Sequence, residues 1–115
     1  MTPRAPRSGL LPGTLDMLVL RTVSLGPLHG YGIAQHIARL SNDVFQVEQG
    51  SLYPALERLL AAGWIRAKWR MTPTGRKARY YTITASGRRK LGEEISSYDH
   101  LVLAIARVLG REEPA

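Results

Sequence analysis

The hydrophobic period of this chain switches from helical to alternating at Gly63 and back again at Thr84. Those two switches leave few folds open: a group of helices, a β-hairpin, and one more helix. Leu10 to Leu25 predicts a first helix, preceded by Pro12 and Gly13 at the end of an arm and capped by Thr14. Leu15, Leu18, Val19, Thr22 and Val23 form one face, whereas Met17 and Leu20 lie away from it. A second apolar face requires a cover, from the C-terminal helix or from a partner chain. Gly26 and Pro27 break this helix. A second is predicted over Tyr31 to Leu40, with Ile33, Ile37 and Leu40 as its core stripe. Ser41 to Gln49 reads as a polar connection with Val44, Phe45 and Val47 tucked beneath it. The third helix is predicted from Ser51 to Ala62, burying Leu52, Leu56, Leu59 and Leu60. Pro54 is expected in its first turn, and Gly63 is its stop.

Trp64 to Arg70 alternates, with Ile65, Ala67 and Trp69 opposite Arg66, Lys68 and Arg70. Ala78 to Thr84 reads as the returning strand, and Pro73 and Gly75 fall at a basic tip. Helical spacing resumes after Thr84 or Ser86 as cap. Leu91, Ile95, Tyr98, Val102, Ile105 and Leu109 are spaced four, three, four, three, four, which is a heptad seam. So small a domain cannot cover all of a helix this apolar, so a homodimer is expected. The seam, with Leu15, Met17 and Leu20, is its expected interface. The organisation is an arm over residues 1–9, a helical and hairpin domain over 10–84, a dimerisation helix over 85–110 and a tail over 111–115.

Ten positive charges and no negative ones lie between Arg58 and Gly92, while the rest of the chain holds six positives and nine acids. The net charge of +7 is therefore local to one stretch. A single-sign field beside a short helix and a hairpin suits a polyanion, most simply a nucleic-acid backbone. At 115 residues there is room for one domain, and 44% hydrophobic residues exclude a disordered chain. Without cysteine there are no disulfides or thiolate metal sites. His29, His36 and His100 are too scattered for a metal centre, and no cofactor is called for. No phosphate loop or nucleophile–base pattern assembles, so an enzyme is not expected. No apolar run approaches the ~20 residues that span a bilayer, so no membrane partner is expected. No signal-peptide pattern is recognised, and a soluble, cytoplasmic protein is the expectation.

The order of helix, helix, helix, hairpin and long helix has the proportions of a winged helix-turn-helix, mainly α with a small β-hairpin. Such a unit places its last short helix in the major groove and its wing along the backbone or in the minor groove. Arg4 and Arg7 of the arm suit a phosphate or a minor groove, but a solvated tail is the plainer reading. A winged-helix protein-interaction module without specific DNA binding is the alternative, and the dense wing charge argues against it.

The segments LPGTLDMLVLRTVSL, GPLHGYGIAQHI, GSLYPALERLLAAGWI and ARYYTITASGRRKL together resemble the PadR family of bacterial transcriptional regulators, from about Leu10 to Leu91. The set that carries the resemblance is HGYGI, GSLYPAL, RYY and the T-x-x-G before the last helix. It implies a homodimeric winged-helix repressor of double-stranded operator DNA. It also implies release by a small hydrophobic or phenolic effector, as in many members, and the shorter branch with a single C-terminal dimerisation helix. It sets Ser51 and Tyr53 in the DNA-facing turn, whereas the plainer reading makes Ser51 an N-cap and Tyr53 a core aromatic. Tyr31 of HGYG suits a phosphate contact or packing against the third helix equally. Gln49 suits an adenine edge or a solvated loop equally. Arg70, Arg76, Lys77 and Arg79 are the expected wing contacts. Arg58 reads as a phosphate contact or a surface charge. Arg88, Arg89 and Lys90 begin a helix where its dipole disfavours cations, which points to a nearby anion or a solubilising face.

Overall fold

The computed structural model describes residues 12–111. In chain order the elements are α1 (Pro12–Ser24), β1 (Leu28–His29), α2 (Gly30–Leu40), α3 (Gln49–Ala61), β2 (Ile65–Met71), β3 (Lys77–Ile83) and α4 (Ala85–Val108). The sheet is antiparallel in the order β1-β3-β2. Its pairing runs from Ile65↔Ile83 at the root to Met71↔Lys77 at the tip. Leu28↔Tyr81 and His29↔Tyr80 add the short third strand.

One core joins these elements. Leu15, Val19, Leu20 and Val23 of α1 are buried against Ile33 and Ile37 of α2, and Leu52, Ala55, Leu56 and Leu59 of α3. Ile65 and Tyr81 close it from the sheet, and Leu91 from α4. Burying one such aliphatic side chain contributes about 1.5–3 kcal/mol. Among the described residues Thr22 is the buried polar one, and its hydroxyl donates to the Leu18 carbonyl at 2.8 Å.

Local chemistry sets the boundaries. The His29 Nδ1 accepts from the Gly32 N–H at 3.0 Å and caps α2. Asn42 and Asp43 then turn left-handed, with φ of 52° and 63°, and end it. Gly63, at φ 77°, ends α3. Thr84 caps α4 through the Gly87 N–H at 3.0 Å. Beyond Leu91 no residue of α4 is buried in the protomer. Its 24 residues run past the core and draw the molecule out to 52 × 34 × 24 Å.

Several expectations are corrected. The hairpin has a third strand, because β1 pairs with β3 across some fifty residues of sequence. Thr14 lies inside α1 and is not its cap, since that helix already runs at Pro12. Helix α3 starts at Gln49 with Glu48 as N-cap, so Ser51 is not a cap and Pro54 lies beyond the first turn. The Pro54 ring removes the bond that Gly50 would otherwise accept. Leu40 and Val44 are exposed, outside the core they were expected to join, whereas Phe45 and Val47 do pack against it. Leu15, Leu20 and Leu91, expected at a dimer interface, are buried within one chain: the second face of α1 is covered by the protomer itself. Leu10 and the arm lie outside the described residues.

Candidate nucleic-acid interface

Helix α3 buries one side and turns Gln49, Tyr53 and Glu57 outward, four residues apart. The sheet register divides the wing into two faces. Ile65, Ala67, Trp69 and Met71 share a face with Ile83, Tyr81, Arg79 and Lys77. Near the root this face closes the core through Ile65 and Tyr81; farther out Trp69 is 64% exposed. Arg66, Lys68 and Arg70 occupy the opposite face with Tyr80. Thr72 fastens the tip: it donates its N–H to the Arg76 carbonyl at 2.6 Å, and its hydroxyl accepts from the Arg76 N–H at 3.1 Å.

Between α3, the start of α2 and the wing lies an open cleft of about 790 Å³. Tyr31, Tyr53, Arg76, Lys77 and Arg79, five of the residues singled out from the sequence, line it together. Gln49 is exposed and Ser51 half-buried at the N-terminal end of α3, outside that lining. Arg70 points to the other side of the wing, its guanidinium 5.0 Å from the centre of the Tyr80 ring. The two readings of Tyr53 merge. A methyl group on Gly30 would stand 3.3 Å from its hydroxyl, so the ring packs against α2, yet the residue remains 45% exposed. Tyr31 is exposed, and its hydroxyl accepts from Gln35 Nε2 at 3.0 Å.

Charges near the cleft are only partly committed. Arg79 reaches Glu57 at 3.4 Å and lies 5.9 Å from the centre of the Tyr81 ring. Burial pushes the Tyr81 phenol up, and the Arg79 charge opposes that shift. Arg58, by contrast, is engaged within the fold. Its guanidinium donates to both Asp16 oxygens, at 2.8 and 3.3 Å, and joins α3 to α1. That bond raises the Arg58 pKa further above its ordinary value. Lys90 is also occupied, bonded to Glu94 at 2.8 Å and 4.9 Å from the centre of the Trp64 ring. Arg88 and Arg89 are exposed. Glu57 and Trp69 are among the cleft residues that were not assigned to DNA from the sequence. The four-residue spacing from Gln49 and Tyr53 was the signal that places Glu57.

Along α4 the seam is open. Ile95, Tyr98, Ile105 and Leu109 are exposed and Val102 is half-buried, while Met17 packs beside the core. Among the described residues no helix is long and apolar enough to cross a membrane.

The family described as transcriptional regulator PadR-like matches residues 19–93. An uncharacterised protein of Lysinibacillus sphaericus is 33% identical over 80% of this chain and 84% of its own. The transcriptional regulator Rv3488 of Mycobacterium tuberculosis is 31% identical over 72% of this chain and 74% of its own. Among solved structures, a PadR-like transcriptional regulator from Bacillus cereus superposes with a TM-score of 0.74 at 26% identity, covering 87% of this chain and 95% of that one. With the helical order, the wing and the basic cleft in place, these matches make the chain a member of the PadR-like family of transcriptional regulators, a DNA-binding regulator and not an enzyme.

Proposed function

We propose that this chain is a homodimeric repressor that binds an inverted-repeat operator through α3 and the wing. One observation carries the reading: Tyr31, Tyr53, Arg76, Lys77 and Arg79 line a single cleft beside the exposed stripe of α3. Gln49 and Ser51 at the start of α3 meet base edges or phosphate, and the cations of the cleft meet the backbone. Arg70, with Arg66 and Lys68 on the outer wing face, meets the far strand of a minor groove that the wing enters. Two copies joined along Ile95, Tyr98, Val102 and Ile105 of α4 and Leu109 at its C-cap, with Met17 beside the seam, present two recognition helices to successive major grooves about 34 Å apart. The exposure of that seam in one chain supports the pairing.

A small hydrophobic or phenolic effector seated beside Tyr98 and Met17 releases the operator by favouring another helix spacing. It acts only through a difference in affinity between the two spacings. Selection of duplexes from a random pool, followed by footprinting, tests the whole reading. Protection of two half-sites by a dimer is expected, whereas saturation with a single protected half-site contradicts it. A panel of aromatic acids that leaves operator affinity unchanged removes the effector from the account.

A further inference from the structure

Among the described residues, Glu57 is the one carboxylate lining the cleft, which otherwise presents Arg76, Lys77 and Arg79. Its side chain is 67% exposed, and its Oε1 lies 3.4 Å from Arg79 Nη1. So exposed a pair adds little to folding. The buried side of α3 is made by Leu52, Ala55, Leu56 and Leu59 without it. Packing therefore does not account for an acid here. On a surface that attracts phosphate, an acid opposes binding.

Its position on α3 explains it. Gln49, Tyr53 and Glu57 follow one another at four-residue intervals, and all three are exposed. That stripe is the side a major groove meets if α3 is the recognition helix. Of the base edges there, cytosine offers a carboxylate a 4-amino donor, while guanine offers two acceptors. The adenine amino group stands beside the N7 acceptor, which repels a carboxylate.

We propose that Glu57 is a specificity-determining residue: its carboxylate accepts a hydrogen bond from a cytosine 4-amino group and repels duplexes that present an acceptor at that point. The proposal rests on the reading of α3 and the wing as the DNA-binding face. In the free protein Glu57 holds Arg79. When cytosine takes the carboxylate, Arg79 turns to a phosphate, so a sequence-blind contact depends on the right base pair. On other duplexes the acid keeps Arg79 and repels the backbone, which is discrimination by repulsion as well as by attraction.

The test uses the full chain as wild type, Glu57→Gln and Glu57→Ala. Each is titrated with the selected operator, its single base-pair substitutions and a scrambled duplex. The wild type should lose about tenfold or more when one C·G pair in each half-site is changed. Glu57→Ala should lose that preference and bind the scrambled duplex about threefold or more tighter. Glu57→Gln, which keeps the side-chain shape, should move the preference at that pair from cytosine towards adenine, whose amino group and N7 both pair with an amide. Base preferences unchanged in both variants overturn the proposal, as does an equal loss on every duplex. A wild type that selects no duplex at all contradicts instead the underlying reading of a DNA-binding face, and the proposal falls with it.

Discussion

Thr84 Oγ1 donates to the Gly63 carbonyl across 2.7 Å, and that bond ties the start of α4 to the turn that ends α3. Ser86 Oγ donates to the same carbonyl at 3.0 Å, and the Thr84 N–H donates to the Trp64 carbonyl at 3.0 Å. Lys90 extends the junction over the Trp64 ring. The helix with the open apolar seam is thus fastened directly to the end of α3. In the proposed dimer, a change in how two copies of α4 meet would reach α3 through this junction without an intervening loop.

Gly87 is the tightest point of this junction. A methyl group there would overlap the Trp64 carbonyl and crowd the Ile83 side chain. Gly87→Ala should destabilise the protein by about 1–3 kcal/mol or more, as overpacking against backbone does. Gly92→Ala on the same helix meets nothing within 4 Å. It should be neutral or stabilising by up to about 1 kcal/mol. Urea unfolding of the two variants checks the contrast.

The apolar positions of α1 and α4 should separate into two groups. Val102→Asp and Ile105→Asp should leave a folded chain that sediments as a monomer, since the seam lies outside the protomer's core. Leu20→Ala should instead cost about 2–5 kcal/mol of stability, because Leu20 is 1% exposed in a single chain. Sedimentation with circular dichroism distinguishes lost pairing from lost folding.

Arg58 and Asp16 should behave as a structural pair. Both side chains retain solvent contact. A double-mutant cycle should therefore give a coupling of only about 0–1 kcal/mol. Arg58→Ala should also leave the salt dependence of DNA binding unchanged, because its guanidinium is already spent on α1. A flatter salt dependence would return Arg58 to the phosphate contacts.

Tyr81 should weaken the fold in alkali. Burial raises its folded pKa, so the native state keeps the phenol proton after the unfolded chain begins to lose it. Its contribution is complete below the unfolded value of about 10 and declines as pH rises towards the higher native value. Urea midpoints measured from about pH 8 to pH 11 should fall less steeply in Tyr81→Phe than in the wild type.

The helical stripes, the Gly63 stop, the Thr84 cap and the wing alternation were legible because each depends on residues a few positions apart. Features set by distant segments were not. The strand at Leu28 and His29 exists only through its pairing with Tyr80 and Tyr81. Leu20 looked free for a partner chain because an apolar helix face does not reveal whether its cover comes from the same chain. Arg58 and Asp16 are 42 residues apart, beyond the reach of any local pattern. The cleft was half legible: its cations stood out as a charge run, but Glu57 acquires a role only when the wing brings Arg79 over α3. Arg70 shows the converse: the alternation set it opposite Ile65 and Trp69, but only the pairing of β2 with β3 puts the cleft on the other face.

The central claim is that the cleft cations hold duplex phosphates while α3 selects sequence. The measurement that tests it most directly is the affinity for the selected operator and for a scrambled duplex, across a salt series, for the wild type and Arg76→Ala/Lys77→Ala. The account predicts that the double variant binds both duplexes more weakly and lowers the slope of log affinity against log salt by about 2, with the preference for the operator kept. A variant with the wild-type slope and affinity would contradict it.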